Sequence, residues 1–245
     1  MRKKLFSSRR ILVLIATGVF FVCLASAQLT RSLFAEPLDE KTKQNIIEMD
    51  YKEFLRQSGL VKVINKEPGT YKGQAYTICK DADDPNLKAK VDAVNKAVKT
   101  VIDKGVNIPP ALRVYCLGAF EAQNRSYMRD EKWNQIAYIT LGSKAVEAGQ
   151  VSAISSSGFG GFEKPTITTI HEIGHILHER VLGDDFFAKG SMIQGKPVNG
   201  AKVSVYASGT KKEFVAEVFA GLIIGMKFPA EVMEEYKSYR GPAVP

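Results

Sequence analysis

The chain has 245 residues, of which 45% are hydrophobic and 24% are charged, a balance typical of a globular protein that buries its own core. The formal net charge is +8, but five of the basic residues lie in the first 27 residues, which contain no acid, so the remainder carries +3. The rest of the sequence has no stripe of Lys and Arg interleaved with aromatic residues, which argues against nucleic-acid binding.

The first 27 residues have the features of an export signal. A basic start is followed by an apolar run, Ile11–Ala27, that ends in the small-x-small pattern of a cleavage site. The alternative is an uncleaved anchor, because these 17 mostly apolar residues approach the roughly 20 that span a bilayer. We expect a secreted, extracellular protein without stable membrane contact or, in the alternative, a membrane-anchored protein with its domain outside.

After the signal peptide at 1–27, the predicted organisation is a flexible segment at 28–40 and a single domain at 41–245. Hydrophobic periodicity and turn residues predict both helices and strands in the first half of that domain. In chain order these are a helix at Lys41–Gln57, two short strands within Leu60–Lys80 around a Pro68-Gly69 turn, a helix at Asn86–Lys104, a strand at Leu112–Leu117 and a strand at Gln135–Leu141.

The second half of the domain is predicted to be helical. A loop at Ser155–Gly161 precedes three helices, at Pro165–Leu182, Lys212–Met226 and Pro229–Tyr239. The middle helix is apolar, but it is too short to span a bilayer, and we expect it to be buried. Strands mixed with helices ahead of a helical C-terminal half indicate an α+β fold with a small sheet.

Two cysteines, Cys79 and Cys116, remain if the signal is removed. Export takes them to a compartment where disulfides persist. One bridge between them and two buried thiols, which behave as small hydrophobic groups, are equally compatible with the sequence. A bridge requires their Cα atoms to lie within about 7 Å of each other, a separation that the sequence does not determine.

The segment His171-Glu172-Ile173-Gly174-His175 has the spacing of a catalytic zinc motif. Positions i and i+4 lie on one face of a helix, so the two imidazoles can bind one ion. Zinc accepts neutral imidazole and tolerates a tetrahedral site with one open position. The adjacent Glu172 is then available as a base that takes a proton from water at the metal.

The alternative is that the HExxH pattern is accidental, since composition alone produces it in about one chain in a hundred of this length. Against this, all three histidines of the chain fall between positions 171 and 178, within a helical pattern. His178 lies seven residues beyond His171, about 10.5 Å along a helix axis, too far to share the ion. For His178 we expect either a supporting position behind the metal ligands or a position on the helix surface, with the surface as the default.

A catalytic zinc site of this kind needs a third protein ligand. Glu213 and Glu217 stand at i and i+4 in an otherwise apolar helix, where buried carboxylates require partners. A metal and its histidines supply such partners. The alternative is that the two acids mark a solvated edge of the helix.

These residues resemble a known family. HEIGH, then Ser204-Val205-Tyr206-Ala207, then the segment Glu213–Ala220 (EFVAEVFA) are similar to the anthrax lethal factor-like metallopeptidases, and in layout to the small secreted Pro-Pro endopeptidases. The resemblance implies a zincin-like fold, a gluzincin ligand set of His171, His175 and Glu213, and Zn²⁺ as the metal. It also implies that Tyr206 stabilises the oxyanion and that Glu217 supports the ligands from behind.

The resemblance covers about Pro165 to Phe228. Lys212 stands where the Pro-Pro enzymes carry a second Glu, and Val215 replaces a usual aromatic residue. These departures bear on cleavage between prolines, not on the metal ligands.

From these observations we predict a zinc endopeptidase with catalytic residues Glu172 and Tyr206, acting on extracellular or surface proteins or peptides, among which proline-rich sites are candidates. Two alternatives remain open: a catalytically silent zinc-binding module at the cell surface, and a membrane-anchored structural protein in which HExxH is accidental. Intact Glu172 and Tyr206 favour the enzyme, because a structural zinc site is closed by four ligands and needs neither residue.

Overall fold

The computed structural model describes residues 65–118, 125–131, 134–142, 162–183 and 193–245. The predicted signal, the segment at 28–40, the helix at Lys41–Gln57 and the loop at Ser155–Gly161 lie outside these residues. In chain order the described elements are β1 (Asn65–Tyr71), β2 (Gln74–Lys80), α1 (Leu87–Asp103), β3 (Leu112–Cys116), β4 (Arg125–Glu131), β5 (Asn134–Leu141), α2 (Lys164–Leu182), a 3₁₀ turn (Gly200–Lys202), α3 (Lys211–Ile223) and α4 (Ala230–Ser238).

The strands form one mixed sheet in the order β1-β2-β3-β5-β4. The central pairs β2–β3 and β3–β5 are parallel, and the outer pairs β1–β2 and β4–β5 are antiparallel. Helix α1 is the crossover between the parallel strands β2 and β3, as such a connection requires. The described part of the chain is thus a mixed structure of helices and strands, compatible with the expected α+β class. Within it, no helix has the length and apolar character needed to cross a membrane.

The β1–β2 hairpin turns at Lys72-Gly73, so the prediction of a turn at Pro68-Gly69 was wrong. Both turn residues have positive φ, 45° and 79°, as a two-residue hairpin turn with the right twist requires. Pro68 lies inside β1, where an outermost strand tolerates the missing N–H. The ring of Tyr76 covers Gly69 so closely that a Cβ there would lie 2.4 Å from Tyr76 Cζ.

The register of β2 and β3 shows whether Cys79 and Cys116 can form a disulfide. Cys79 pairs with Tyr115, and Cys116 pairs with Lys80. Paired residues share a face while neighbours along a strand alternate, so the two cysteines point to opposite faces. Both are buried free thiols, and burial raises the pKa of Cys116 to about 12. The interpretation as two buried thiols is confirmed, and the bridge was wrong.

The face that carries Cys116 forms the core with α1 and the C-terminal helices. Helix α2 packs against α1, against strands β4 and β5, and against α3. Gly174 makes the approach of α3 close, because a Cβ at this position would lie 2.8 Å from Phe219 Cδ1 and 3.4 Å from Ala216 Cα. The glycine inside the HEIGH segment therefore sets the spacing between the two helices that carry the candidate site.

Candidate metal centre

Helix α2 presents His171 and His175 one turn apart on a single face. Both side chains are buried, with 1% and 5% exposure, and their rings meet edge to face with centroids 4.6 Å apart. The helix begins with Pro165 in its first turn, where the missing N–H has no helical partner. The predicted helix and the predicted pairing of the two imidazoles are confirmed.

Glu213 completes the group from the first turn of α3. Thr210 caps this helix by accepting a hydrogen bond from the N–H of Glu213 at 3.2 Å. The Glu213 side chain turns toward α2, and its Oε2 lies 3.1 Å from Nε2 of His171 and 3.1 Å from Nε2 of His175. One ligand atom from each of the three residues lies within 4.8 Å of the others. The group could hold a metal ion.

The electrostatics of the three residues fit a cation. Burial alone would raise the pKa of the Glu213 carboxyl, but its hydrogen bonds with His171 and His175 hold that pKa well below its usual range. Burial alone would lower the pKa of His171, yet contacts with Glu213 and Glu217 raise it to about 10. The carboxylates thus attract positive charge, which a metal ion can supply in place of a proton.

Glu217 lies behind His171 and is completely buried. Its Oε1 accepts a hydrogen bond from Nδ1 of His171 at 2.8 Å, and its Oε2 accepts one from Oγ of Ser204 at 2.9 Å. Because Nδ1 is engaged in this way, Nε2 is the nitrogen that faces Glu213 and His175. The solvated-edge interpretation of Glu217 was wrong, and Ser204 is a partner that the sequence patterns did not predict.

Glu172 and Tyr206 border the group. Glu172 is buried, and its charge contributes to raising the pKa of both His171 and Tyr206. The Tyr206 ring lies beside His171, with centroids 5.8 Å apart and the ring planes tilted by 52°, while 42% of the residue stays exposed. Burial and the charges of Glu213, Glu172 and Glu217 raise the pKa of the Tyr206 phenol. The phenol therefore remains protonated, and it can donate a hydrogen bond near the candidate metal position.

Helix α4 holds the segment that leads to Tyr206. The carboxylate of Glu235 accepts hydrogen bonds from the backbone N–H of Val198 at 2.7 Å and of Asn199 at 2.8 Å. The hydroxyl of Tyr239 donates to the same carboxylate at 2.6 Å. Lys202 and Glu231 form a further ion pair between the segment and the helix at 2.9 Å.

His178 was expected on the helix surface, but only 1% of it is exposed. Its Nε2 donates a hydrogen bond to the backbone carbonyl of Tyr239 at 2.7 Å, and burial lowers its pKa to about 4. The surface prediction was wrong because the last turns of α2 are covered by the end of α4. His178 takes no part in the metal group, as its distance along the helix predicted.

Comparison with known proteins adds no assignment: no protein-family model matches the chain, and no curated protein matches it. The site is therefore interpreted from its own geometry and chemistry.

Proposed function

We propose that this protein is a secreted zinc metalloendopeptidase with a zincin-like fold. The observation that carries the proposal is the convergence of His171, His175 and Glu213 into one group, in which both histidines are buried and Glu213 is partly buried. Two further groups with suitable chemistry, Glu172 and Tyr206, lie at its border. A structural metal site would be closed by a fourth protein ligand, and among the described residues the group contains three.

The donor set favours zinc over Mg²⁺ and Ca²⁺. Two imidazoles and one carboxylate form a ligand set of catalytic zinc sites, whereas Mg²⁺ and Ca²⁺ prefer oxygen donors alone. Two donors at zinc–ligand distances of 2.0–2.2 Å in a tetrahedral site lie about 3.4 Å apart. The separation of Glu213 Oε2 from each histidine Nε2, 3.1 Å, is close to this value.

The side chains around the metal supply proton transfer and charge stabilisation. Bound zinc would contribute Lewis-acid activation of water and of the scissile carbonyl. Glu172 accepts the proton that the attacking water loses and later gives it to the leaving nitrogen. Tyr206 donates a hydrogen bond to the oxygen that becomes negative, which suits a phenol with a raised pKa.

The sheet offers a binding mode for an extended peptide. Strand β4 ends the strand order and packs against α2, the helix that carries His171 and His175. An extended chain can pair with such a strand through main-chain hydrogen bonds. Extracellular or surface proteins are the proposed substrates, and the resemblance to Pro-Pro endopeptidases makes proline-rich sequences the first to examine.

Cleavage of a peptide library by the purified protein tests the proposal. We expect cleavage with zinc, loss of cleavage with a chelator and recovery when zinc is returned. Glu172→Gln should retain zinc and lose at least about 10²-fold in turnover, the effect of removing a general base. Glu179→Gln, on the same helix, is the matched control and should keep normal turnover. Zinc binding without cleavage of any library member would instead favour the silent zinc-binding module.

A further inference from the structure

Ser204 connects two parts of the candidate site. It is 5% exposed, and its hydroxyl donates to Oε2 of Glu217 at 2.9 Å while accepting the backbone N–H of Ala207 at 2.8 Å. The other oxygen of Glu217 accepts from Nδ1 of His171 at 2.8 Å. A continuous chain of hydrogen bonds thus runs from a candidate metal ligand to the backbone beyond Tyr206.

The bond from Ala207 to Ser204 closes a turn around Tyr206. The N–H of Ser208 donates to the carbonyl of Val205, and the N–H of Gly209 donates to the carbonyl of Tyr206. Val205 is exposed while Ala207 is fully buried, so the turn directs neighbouring side chains in different directions. Among them, the ring of Tyr206 lies beside His171. The hydrogen bonds at the ends of this turn therefore fix the backbone position from which the Tyr206 side chain projects.

The donors and acceptors in this chain allow one arrangement. A carboxylate accepts only, so Glu217 in this form receives a hydrogen bond from His171 Nδ1 and another from Ser204 Oγ. The Ser204 oxygen is then free to accept the Ala207 N–H. The same network therefore sets which nitrogen of His171 faces the metal position and where the Tyr206 turn begins.

We propose that Ser204 is a positioning residue that holds the metal ligand His171 and the phenol of Tyr206 in a fixed relation. It acts through Glu217 on one side and through the backbone of Ala207 on the other. The consequences for turnover rest on the proposed peptidase function. The consequences for metal binding rest on the metal group alone.

Zinc affinity and peptide turnover of Ser204→Ala test the proposal, with affinity measured by competition against a chromophoric chelator. We expect zinc binding to weaken about 10-fold, the lower end of the range for partners that orient a ligand from outside. Turnover should fall about 10-fold at saturating zinc with KM unchanged, because the phenol acts mainly after substrate has bound. Ser204→Thr retains the hydroxyl and should restore both quantities.

Ser208→Ala is the matched control, since its hydroxyl lies in the same turn and donates to the carbonyl of Ser204 at 3.1 Å. It should leave zinc affinity normal. If Ser204→Ala fails to fold, Ser204→Cys replaces it, because a thiol is a weak donor of similar size. In a Tyr206→Phe background, the Ser204 substitution should have little additional effect on turnover.

Two results would overturn the proposal. One is zinc affinity in Ser204→Ala equal to that of Ser208→Ala, with only thermal stability reduced. The other is a turnover loss that adds fully to that of Tyr206→Phe. A wild-type protein that binds zinc and cleaves nothing would refute the proposed peptidase, while the affinity comparison would still decide the role of Ser204.

Discussion

Helix α2 carries three histidines within eight positions. His171 and His178, two turns apart, have opposite electrostatic surroundings. At the metal end, His171 lies between the carboxylates of Glu213 and Glu217. Two turns later, His178 meets a backbone carbonyl from the end of α4. Both imidazoles are almost completely buried, so solvent exposure does not distinguish them.

The pKa values of the two residues separate the effect of burial from the effect of partners. Burial lowers the pKa of both histidines, as it does for any group that is charged when protonated. At His178 this effect dominates, and the pKa falls to about 4. At His171 two carboxylates reverse it, and the pKa rises to about 10. One helix can therefore carry a histidine whose surroundings favour positive charge and, two turns later, a histidine that stays neutral at pH 7.

The largest expected difference between the two ends is in metal binding. His171→Ala or His175→Ala should weaken zinc affinity by at least about 10³-fold, beyond the 10–100-fold range for residues that act from outside the ligand shell. His178→Ala should still bind one zinc per chain. Metal analysis after dialysis against a weak chelator measures this. A His178 variant that loses zinc as fully as His171→Ala would contradict the division of the helix.

Tyr206→Phe sharpens the comparison at the metal end. Phenylalanine keeps the ring beside His171 and removes the hydrogen-bond donor, so turnover should fall by about 10²–10³-fold with little change in KM. Tyr236→Phe, in α4, removes a phenol that donates to the carbonyl of Pro242 and should leave turnover normal. Steady-state kinetics of both variants decide the matter, and equal turnover in the two would refute a catalytic phenol.

At the other end, His178 makes stability depend on pH. Its folded pKa of about 4 lies below the ordinary histidine pKa of 6.5, so the unfolded chain binds the proton more tightly. The stability contribution is complete above pH 6.5 and is lost as pH falls toward 4. The loss should reach at most about 3 kcal/mol. In urea unfolding of the chelator-treated protein, His178→Gln should remove this part of the pH dependence, and an unchanged profile would contradict it.

The smallest effect should come from Gly174, at the contact of α2 with α3. A Cβ at Gly174 would press on Phe219, so Gly174→Ala should destabilise the protein by about 1–2 kcal/mol, overpacking offset in part by the better helix propensity of alanine. Adding Phe219→Leu should recover part of the loss in urea unfolding. Stabilisation by Gly174→Ala alone would show that the two helices can separate without penalty.

Local patterns predicted the elements that depend on local chemistry. The i, i+4 spacing of His171 and His175 predicted their pairing, and hydrophobic periodicity predicted α1, β3, β5 and the C-terminal helices close to their observed bounds. Strand β4 was missed because its sequence, RSYMRDE, has no alternation of apolar and polar residues. The helix predicted to reach Met226 ends at Ile223, because Gly225 adopts a left-handed φ of 92°.

Features that depend on contacts between distant parts of the chain could not be predicted from local sequence patterns. Glu213 approaches α2 through packing between helices that lie far apart in the chain, and the family resemblance, not periodicity, selected it over Glu217. The role of Ser204 depends on its buried hydrogen bond to Glu217, 13 residues further along the chain, and no local pattern links the two residues. His178 was misassigned because nothing near it in the sequence identifies the end of α4 as its neighbour.

The hydrogen bonds from the backbone of Val198 and Asn199 to Glu235 affect the order in which the candidate site can form during synthesis. The metal residues lie on α2 and α3, whereas the carboxylate that holds the segment before Tyr206 lies on α4. During synthesis, the metal group can therefore assemble before α4 has emerged, but the Tyr206 segment cannot be fastened until then. We expect a growing chain to present the candidate metal ligands first, and to hold the Tyr206 segment in place only after α4 has followed them.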